Sequence, residues 1–260
     1  MAGLKWIAGF PANTRDGLPR ASAVLVLNDY ATGYPIALLE AATISSARTA
    51  ASAALAAAAL GSAPAPVVGV VGAGVIARAI LDHLVAAGVR PSAVRVHDLD
   101  ERSGTALAEH ARSVAPATFH ADPTPVLAAD VVVFATTAAA PHVREPFAPG
   151  QLVLDISLRD LPPEVLLAAH NVVDDVEHCL TANTSPHLTE QLLGHRDFIA
   201  GTLAQVRAGE LELTPDRPVV FSPFGLGVLD IAVGAHVLTV ARARGEAVEI
   251  PDFFGELTRW

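Results

Sequence analysis

Short apolar runs, each bounded by glycine, proline, asparagine or aspartate, recur along the chain and divide it into three zones. In the first, a loop-like stretch at 9–19 precedes two apolar runs, 23–27 and 34–39, that bracket the turn Asn28-Asp-Tyr-Ala-Thr-Gly33. Two such runs around a glycine-containing turn predict a β-hairpin. Thr43 and Ser45, both good N-cap residues, open an alanine-rich helix reaching residue 60, and Gly61-Ser-Ala-Pro-Ala-Pro66 ends it as a linker. The second zone alternates strand-like runs at 67–71, 94–97, 117–120, 130–135, 152–156 and 171–174 with helical stretches at 75–87 and 101–114. The third holds an apolar run at 219–227 and a helix over 228–244.

Several of these strand-like runs are continuously apolar, which predicts a parallel sheet covered by helices on both faces. The fold class is therefore α/β: a doubly wound domain over 63–220, plus a smaller α+β lobe. Residues 1–62 supply the first part of that lobe, and 221–260 return to it with the C-terminal helix.

Composition adds exclusions. Only 17% of the 260 residues are charged and 52% are apolar, a balance incompatible with intrinsic disorder. The longest apolar runs, 49–60 and 66–76, fall short of the ~20 residues a membrane-spanning helix needs. The N-terminus meets Pro11 and Asn13 too early for a secretion signal, so a compact cytoplasmic protein is expected. A net charge of −10 argues against a nucleic-acid partner. The one cysteine, Cys179, excludes an internal disulfide and reads as an inert buried thiol. His178 and His187 lack metal-ligand spacing, and no Gly-x-Ser-x-Gly elbow occurs, so neither metal nor hydrolytic chemistry is expected.

Chemistry concentrates elsewhere. Gly72-Ala-Gly-Val-Ile-Ala77 directly follows the 67–71 strand and opens a helix. Gly72 suits a tight turn and Gly74 a close backbone approach, while Val75 and Ile76 carry amides of the helix start toward a pyrophosphate. Ala77 takes the place where only a small residue lets helix and strand pack. Asp98, 26 residues after Gly72 at the end of the next strand, completes a Rossmann-type dinucleotide pattern. A carboxylate there accepts from ribose hydroxyls and repels a 2′-phosphate, favouring NAD; Arg95 and Arg102 stand close enough in sequence to weaken that preference. Lys5, the only lysine among seventeen cations, joins Arg20 and Arg48 in a largely apolar zone. Together they are candidate ligands for an anionic substrate; singly, each also reads as a surface cation. Asp160 follows the 152–156 strand, either facing the cofactor crevice or capping a helix that begins at Leu161 or Pro162.

Lys5 through Asn13, Leu27-Asn-Asp-Tyr-Ala-Thr-Gly-Tyr-Pro35, Arg48-Thr-Ala-Ala51, the glycine motif and Phe224-Gly-Leu-Gly-Val-Leu-Asp230 resemble, in order, the ornithine cyclodeaminase/mu-crystallin family. Within it, Ser157-Leu-Arg-Asp160, Val173-Asp-Asp-Val176, Ala182-Asn-Thr-Ser185 and His187-Leu-Thr-Glu-Gln191 are most similar to the N-(2-amino-2-carboxyethyl)-L-glutamate dehydrogenase branch, which makes 2,3-diaminopropionate for siderophores and peptide antibiotics. The resemblance implies that Lys5 and Arg48 hold substrate carboxylates and that Asp160 is catalytic. It also implies that Asp98 binds ribose, that Thr136 and Ser157 line the nicotinamide side, and that Arg20 serves a three-carboxylate substrate. An amino-acid substrate, NAD and a homodimer formed through the smaller lobe follow. Leu158-Arg159 stands where cyclodeaminases carry Gly-Gly, which argues against ornithine. The family has a substantial segment before the lysine, so the lobe is expected to be N-terminally shortened, or its site completed by another chain. An ornithine cyclodeaminase, another amino-acid or imino-acid dehydrogenase of the family, and a non-catalytic, mu-crystallin-like NAD(P) binder are the alternatives.

Overall fold

The first forty residues form a three-stranded antiparallel sheet in the computed structural model, which describes residues 1–255. Its strands are β1 (Ala2–Gly9), β2 (Ala21–Asn28) and β3 (Pro35–Glu40), in that spatial order. The hairpin expected from the sequence is β2–β3. The first strand went unmarked because Ala2-Gly-Leu-Lys-Trp-Ile-Ala-Gly9 lacks apolar alternation and is mostly exposed. Helix α1 (Ala42–Leu60) starts before the expected Thr43 or Ser45 cap. The carboxylate of Glu40 takes the capping role, accepting from the amides of Ala42 at 2.5 Å and Thr43 at 3.2 Å.

The sequence then alternates through β4 (Val67–Val71), α2 (Val75–Ala86), β5 (Ala93–His97), α3 (Glu101–Ala111), β6 (Ala117–Phe119) and α4 (Thr124–Leu127). It continues through β7 (Val131–Phe134), β8 (Leu152–Asp155), α5 (Pro163–Leu167), β9 (His170–Val173), α6 (Val176–Cys179) and α7 (Ser185–Leu193). The series ends with β10 (Ile199–Thr202), α8 (Leu203–Ala208) and β11 (Val219–Ser222), before α9 (Gly227–Arg244). Strands β4 to β11 form one parallel sheet in the order β10-β9-β11-β8-β7-β4-β5-β6. This is a Rossmann-type sheet, and its strand order reverses between β4 and β7, the place where such folds open a ligand crevice. Both faces are covered. Leu152 and Leu154 pack into one apolar core with Val68, Val70 and Phe221, while Val153 points to the other with Val132, Phe134 and Leu166.

The chain forms two compact units, Met1–Ser45 with Gly227–Trp260, and Ser46–Leu226. The boundary expected at 62 is displaced into α1, because Ala50, Ala53, Ala54, Ala56 and Ala57 of that helix belong to the core of the large sheet. The return expected at 221 comes at 227, because β11 is paired between β8 and β9. In the smaller unit, Leu238 of α9 packs with Ala23, Leu25, Leu27, Ala41 and Ile44. Gly234 permits this approach: a Cβ there would lie 2.3 Å from a Leu25 methyl. Among the described residues, no helix is long and apolar enough to cross a membrane.

The alanine face of α1 leaves no room for branching. Replacing fully buried Ala53 by leucine is expected to overpack the core and cost about 1–3 kcal/mol, read as a lower urea midpoint.

Candidate active site

Gly72 ends β4 with φ +91°, and a Cβ there would come within 2.5 Å of the Ala135 carbonyl oxygen, so the turn requires glycine. Gly74 is the N-cap of α2 and has no side-chain cap; a Cβ built on it meets nothing within 4 Å. The amides of Val75, Ile76 and Ala77 thus begin a twelve-residue helix behind open space, an arrangement suited to a pyrophosphate. Ala77 is fully buried, as the small-residue position requires. Asp98, one residue past β5, accepts from the Ala73 amide at 2.6 Å and the Asp100 amide at 2.8 Å. It is therefore anchored to the glycine loop, beside a hollow of about 240 Å³ lined by His97, Asp98, Leu99, Glu101, Phe119 and Ala121. These residues fit the adenosine half of a dinucleotide. The neighbouring cations are directed elsewhere: Arg95 donates to the Pro125 carbonyl at 2.8 Å, and Arg102 is exposed, 3.6 Å from Asp100.

The second cluster gathers at the carboxyl ends of β7 and β8. Asp160 is fully buried; one oxygen accepts from the Thr136 hydroxyl at 2.5 Å and the other from the Ser157 hydroxyl. His142 Nδ1 lies 3.8 Å away on a half-exposed ring. The alternative of a helix cap is not realised, since α5 begins after Pro162 with no side-chain cap. Leu158, at φ +79°, turns the chain between Ser157 and Asp160, and its carbonyl accepts from the Ser185 amide at 2.6 Å. A non-glycine residue held there costs of order 1–3 kcal/mol, which the surrounding contacts must offset.

Asp155, the last residue of β8, is also fully buried, yet neither of its oxygens makes a hydrogen bond. It borders a niche, too tight for water, with Leu158, Cys179, Thr184, Ser222 and Phe224. Burial, and next the Asp160 charge, push its carboxyl up to about 8; the nearby Ser185 hydroxyl offsets only part of this. The Cys179 sulfur lies 3.1 Å from both Asp174 Oδ1 and the Ser222 carbonyl oxygen, two acceptors for its single S–H. Burial first, then the Asp174 charge, push this thiol up to about 12, which makes it inert.

The three cations are placed differently. In the smaller unit, Lys5 donates to Asp230 at 2.8 Å and to the Ser45 hydroxyl at 3.0 Å. Arg20 does not join them: it is exposed, with its guanidinium against Gly9, about 13 Å from Lys5 at strand rise. In the larger unit, Arg48 lies over Gly225, where a Cβ would sit 2.3 Å from a guanidinium nitrogen. Asp174 fixes that glycine by accepting from the amides of Phe224 at 3.0 Å and Gly225 at 2.7 Å.

Glycine turn, anchored acid and strand-end carboxylate together define a dinucleotide-dependent class of enzyme site. A family model described as the ornithine cyclodeaminase/mu-crystallin family matches residues 1–244, and the chain belongs to that family. It is 30% identical over 256 residues to the nodulation efficiency protein NfeD of Rhizobium meliloti, covering 94% of this chain and 77% of that one. It is 28% identical to the N-((2S)-2-amino-2-carboxyethyl)-L-glutamate dehydrogenase of Staphylococcus aureus, covering 89% and 72%. A solved archaeal alanine dehydrogenase dimer with bound NAD superposes with a TM-score of 0.85 at 25% identity, covering 97% of this chain and 81% of that one.

Asp155 and His142 lie outside every motif of the sequence, and Asp174 and Asp230 lie inside two of them without an assigned role. Asp155 and Asp230 had a readable signal, each a lone carboxylate in an apolar run; nothing local marks His142.

The raised carboxyl of Asp155 makes a signed prediction. An unfolded chain releases this proton near pH 3.8 and the folded chain near 8, so the folded state binds the extra proton between those values. The wild type should therefore lose stability relative to Asp155→Asn as pH rises through that window, by up to about 1.4 kcal/mol per pH unit. Urea midpoints of both proteins across pH 5–8 should diverge, with the variant ahead at pH 8.

Proposed function

We propose that this chain oxidises N-(2-amino-2-carboxyethyl)-L-glutamate with NAD, releasing 2-oxoglutarate and 2,3-diaminopropionate, as a step in making a siderophore or peptide natural product. The observation that carries the reading is Asp160, a fully buried carboxylate held by two hydroxyls at adjacent strand ends of a dinucleotide-binding sheet. The Staphylococcus aureus relative and the Ser157-Leu-Arg-Asp160 motif favour this substrate among the amino and imino acids used by the family. The Gly72–Ala77 turn and Asp98 would hold NAD, which would supply a hydride acceptor for the glutamate α-carbon. Asp160 takes a proton from water as that water adds to the resulting C=N carbon, and it returns one to the departing amine. Thr136 and Ser157 keep the carboxylate aimed, and a positioned carboxylate of this kind is worth ~10²–10⁴ in rate.

Lys5 and Arg48 bind substrate carboxylates. Asp230 holds the Lys5 ammonium and Asp174 holds the loop under Arg48. Arg20, exposed and against Gly9, is not part of this carboxylate site. The unit Ser46–Leu226 carries the cofactor residues together with Arg48 and Asp160, and the unit of Met1–Ser45 and Gly227–Trp260 carries Lys5 and the subunit contacts. The outer face of the small sheet supports a homodimer: Leu4, Trp6, Val24 and Leu38 share it by register and are exposed. Light scattering should give twice the 26.8 kDa chain mass, and a monodisperse monomer would contradict the assignment.

Mixing the protein with the three-carboxylate amine and NAD should yield net NADH together with 2-oxoglutarate. Ammonia release from ornithine without net NADH would instead identify a cyclodeaminase. Asp160→Asn should lower kcat by about 10²-fold or more while NAD binding persists. Near-normal turnover by that variant would remove Asp160 from the mechanism. Asp98→Ser should narrow the gap between NAD and NADP affinity, and a wild type that binds both equally would remove Asp98 from the ribose.

A further inference from the structure

Two carboxyl groups five residues apart share the carboxyl end of β8, and they are treated oppositely by their surroundings. Asp160 receives hydroxyl hydrogen bonds on both oxygens; Asp155 receives none on either. Both are fully buried, and the niche beside Asp155 has no room for water to solvate it. An ionised carboxylate without donors is among the costliest groups to bury, and a second negative charge next to Asp160 adds repulsion. The titratable groups around the pair offset neither cost at neutral pH. Across the niche, the Cys179 S–H faces Asp174 and the Ser222 carbonyl, and Asp174 accepts from the Phe224 and Gly225 amides. The His142 ring faces Asp160 rather than Asp155.

We propose that Asp155 is a positioning residue for the reaction: a proton-bearing acid behind Asp160 that keeps the buried pair at a single negative charge. The inference rests on the reading of Asp160 as the group that moves protons. With Asp155 neutral, the one charge resides on Asp160, where two hydroxyls aim it. When Asp155 loses its proton, a second charge enters a site without room for water, where the Ser185 hydroxyl and the Asp160 amide, neither in full hydrogen-bond geometry, offset only part of its cost. Repulsion then disturbs the Thr136–Asp160–Ser157 arrangement and turnover declines. The enzyme thus contains its own alkaline limit, set by a residue that touches neither substrate nor cofactor. No external reactant is needed, since the proton passes from Asp155 to solvent as hydroxide concentration rises, and returns on acidification.

The test is the pH profile of kcat/KM for wild type, Asp155→Asn and Asp155→Leu on whichever amino-acid substrate the wild type turns over. Asp155→Asn preserves shape and neutrality, so it should retain activity near pH 7 within about threefold while its alkaline limb moves up by one pH unit or more. Asp155→Leu also removes the titrating group and should show the same displaced limb, even if its stability and maximal rate are lower. An alkaline limb unmoved in both variants overturns the proposal, as does a loss of activity in Asp155→Asn that is uniform across pH. Asp160→Asn separates the two readings. If it keeps normal turnover, the acid–base role of Asp160 fails, whereas an unmoved limb with an inactive Asp160→Asn condemns only the role of Asp155.

Discussion

A carboxylate withdrawn from water must find donors, and the arrangement around Asp160 follows from that requirement. Its two hydroxyl donors, Thr136 and Ser157, come from the ends of neighbouring parallel strands, so β7 and β8 must lie side by side in the same direction. That pairing is part of the strand order that puts β4 and its glycine turn on the other side of β7. Cofactor turn and acid are thereby fixed with respect to one another by backbone hydrogen bonds rather than by loop conformation. The strained backbone at Leu158 belongs to the same requirement, since it turns the chain back so that Ser157 and Asp160 converge.

Much of this was legible in the sequence because parallel strands buried on both faces announce themselves as continuous apolar runs. The dinucleotide turn was legible for a related reason: Gly72, Gly74 and Ala77 each answer a distinct steric demand, and those demands recur at fixed spacing. Elements whose stability comes from tertiary contact were not. The β1 strand carries exposed apolar residues with no period, and short α6 and α7 depend on the side chains of Asp175 and Thr184 accepting from their first turns. Domain boundaries suffered likewise. Proline and glycine at 61–66 mark the end of a helix, but burial of its alanines decides which unit the helix joins.

The site was legible as individual residues and illegible as pairs. Lys5 stood out as the single lysine, yet nothing in one dimension joins it to Asp230, 225 positions away. Asp155 and Asp160 stand close in sequence, and still only burial and hydrogen-bond partners reveal that one is served by donors and the other is not. A sequence records which groups ionise in water. The folded chain decides which of them can afford to.

Arg48 and Gly225 illustrate how such pairing restricts substitution. Their contact leaves no space for a Cβ at 225, and the backbone there is left-handed as well. A change at 225 is therefore closed twice over, since a shorter residue at 48 would clear the space but leave the backbone strain. The arginine at 48 and the glycine at 225 are thus held together, and a change at either one is felt by the other.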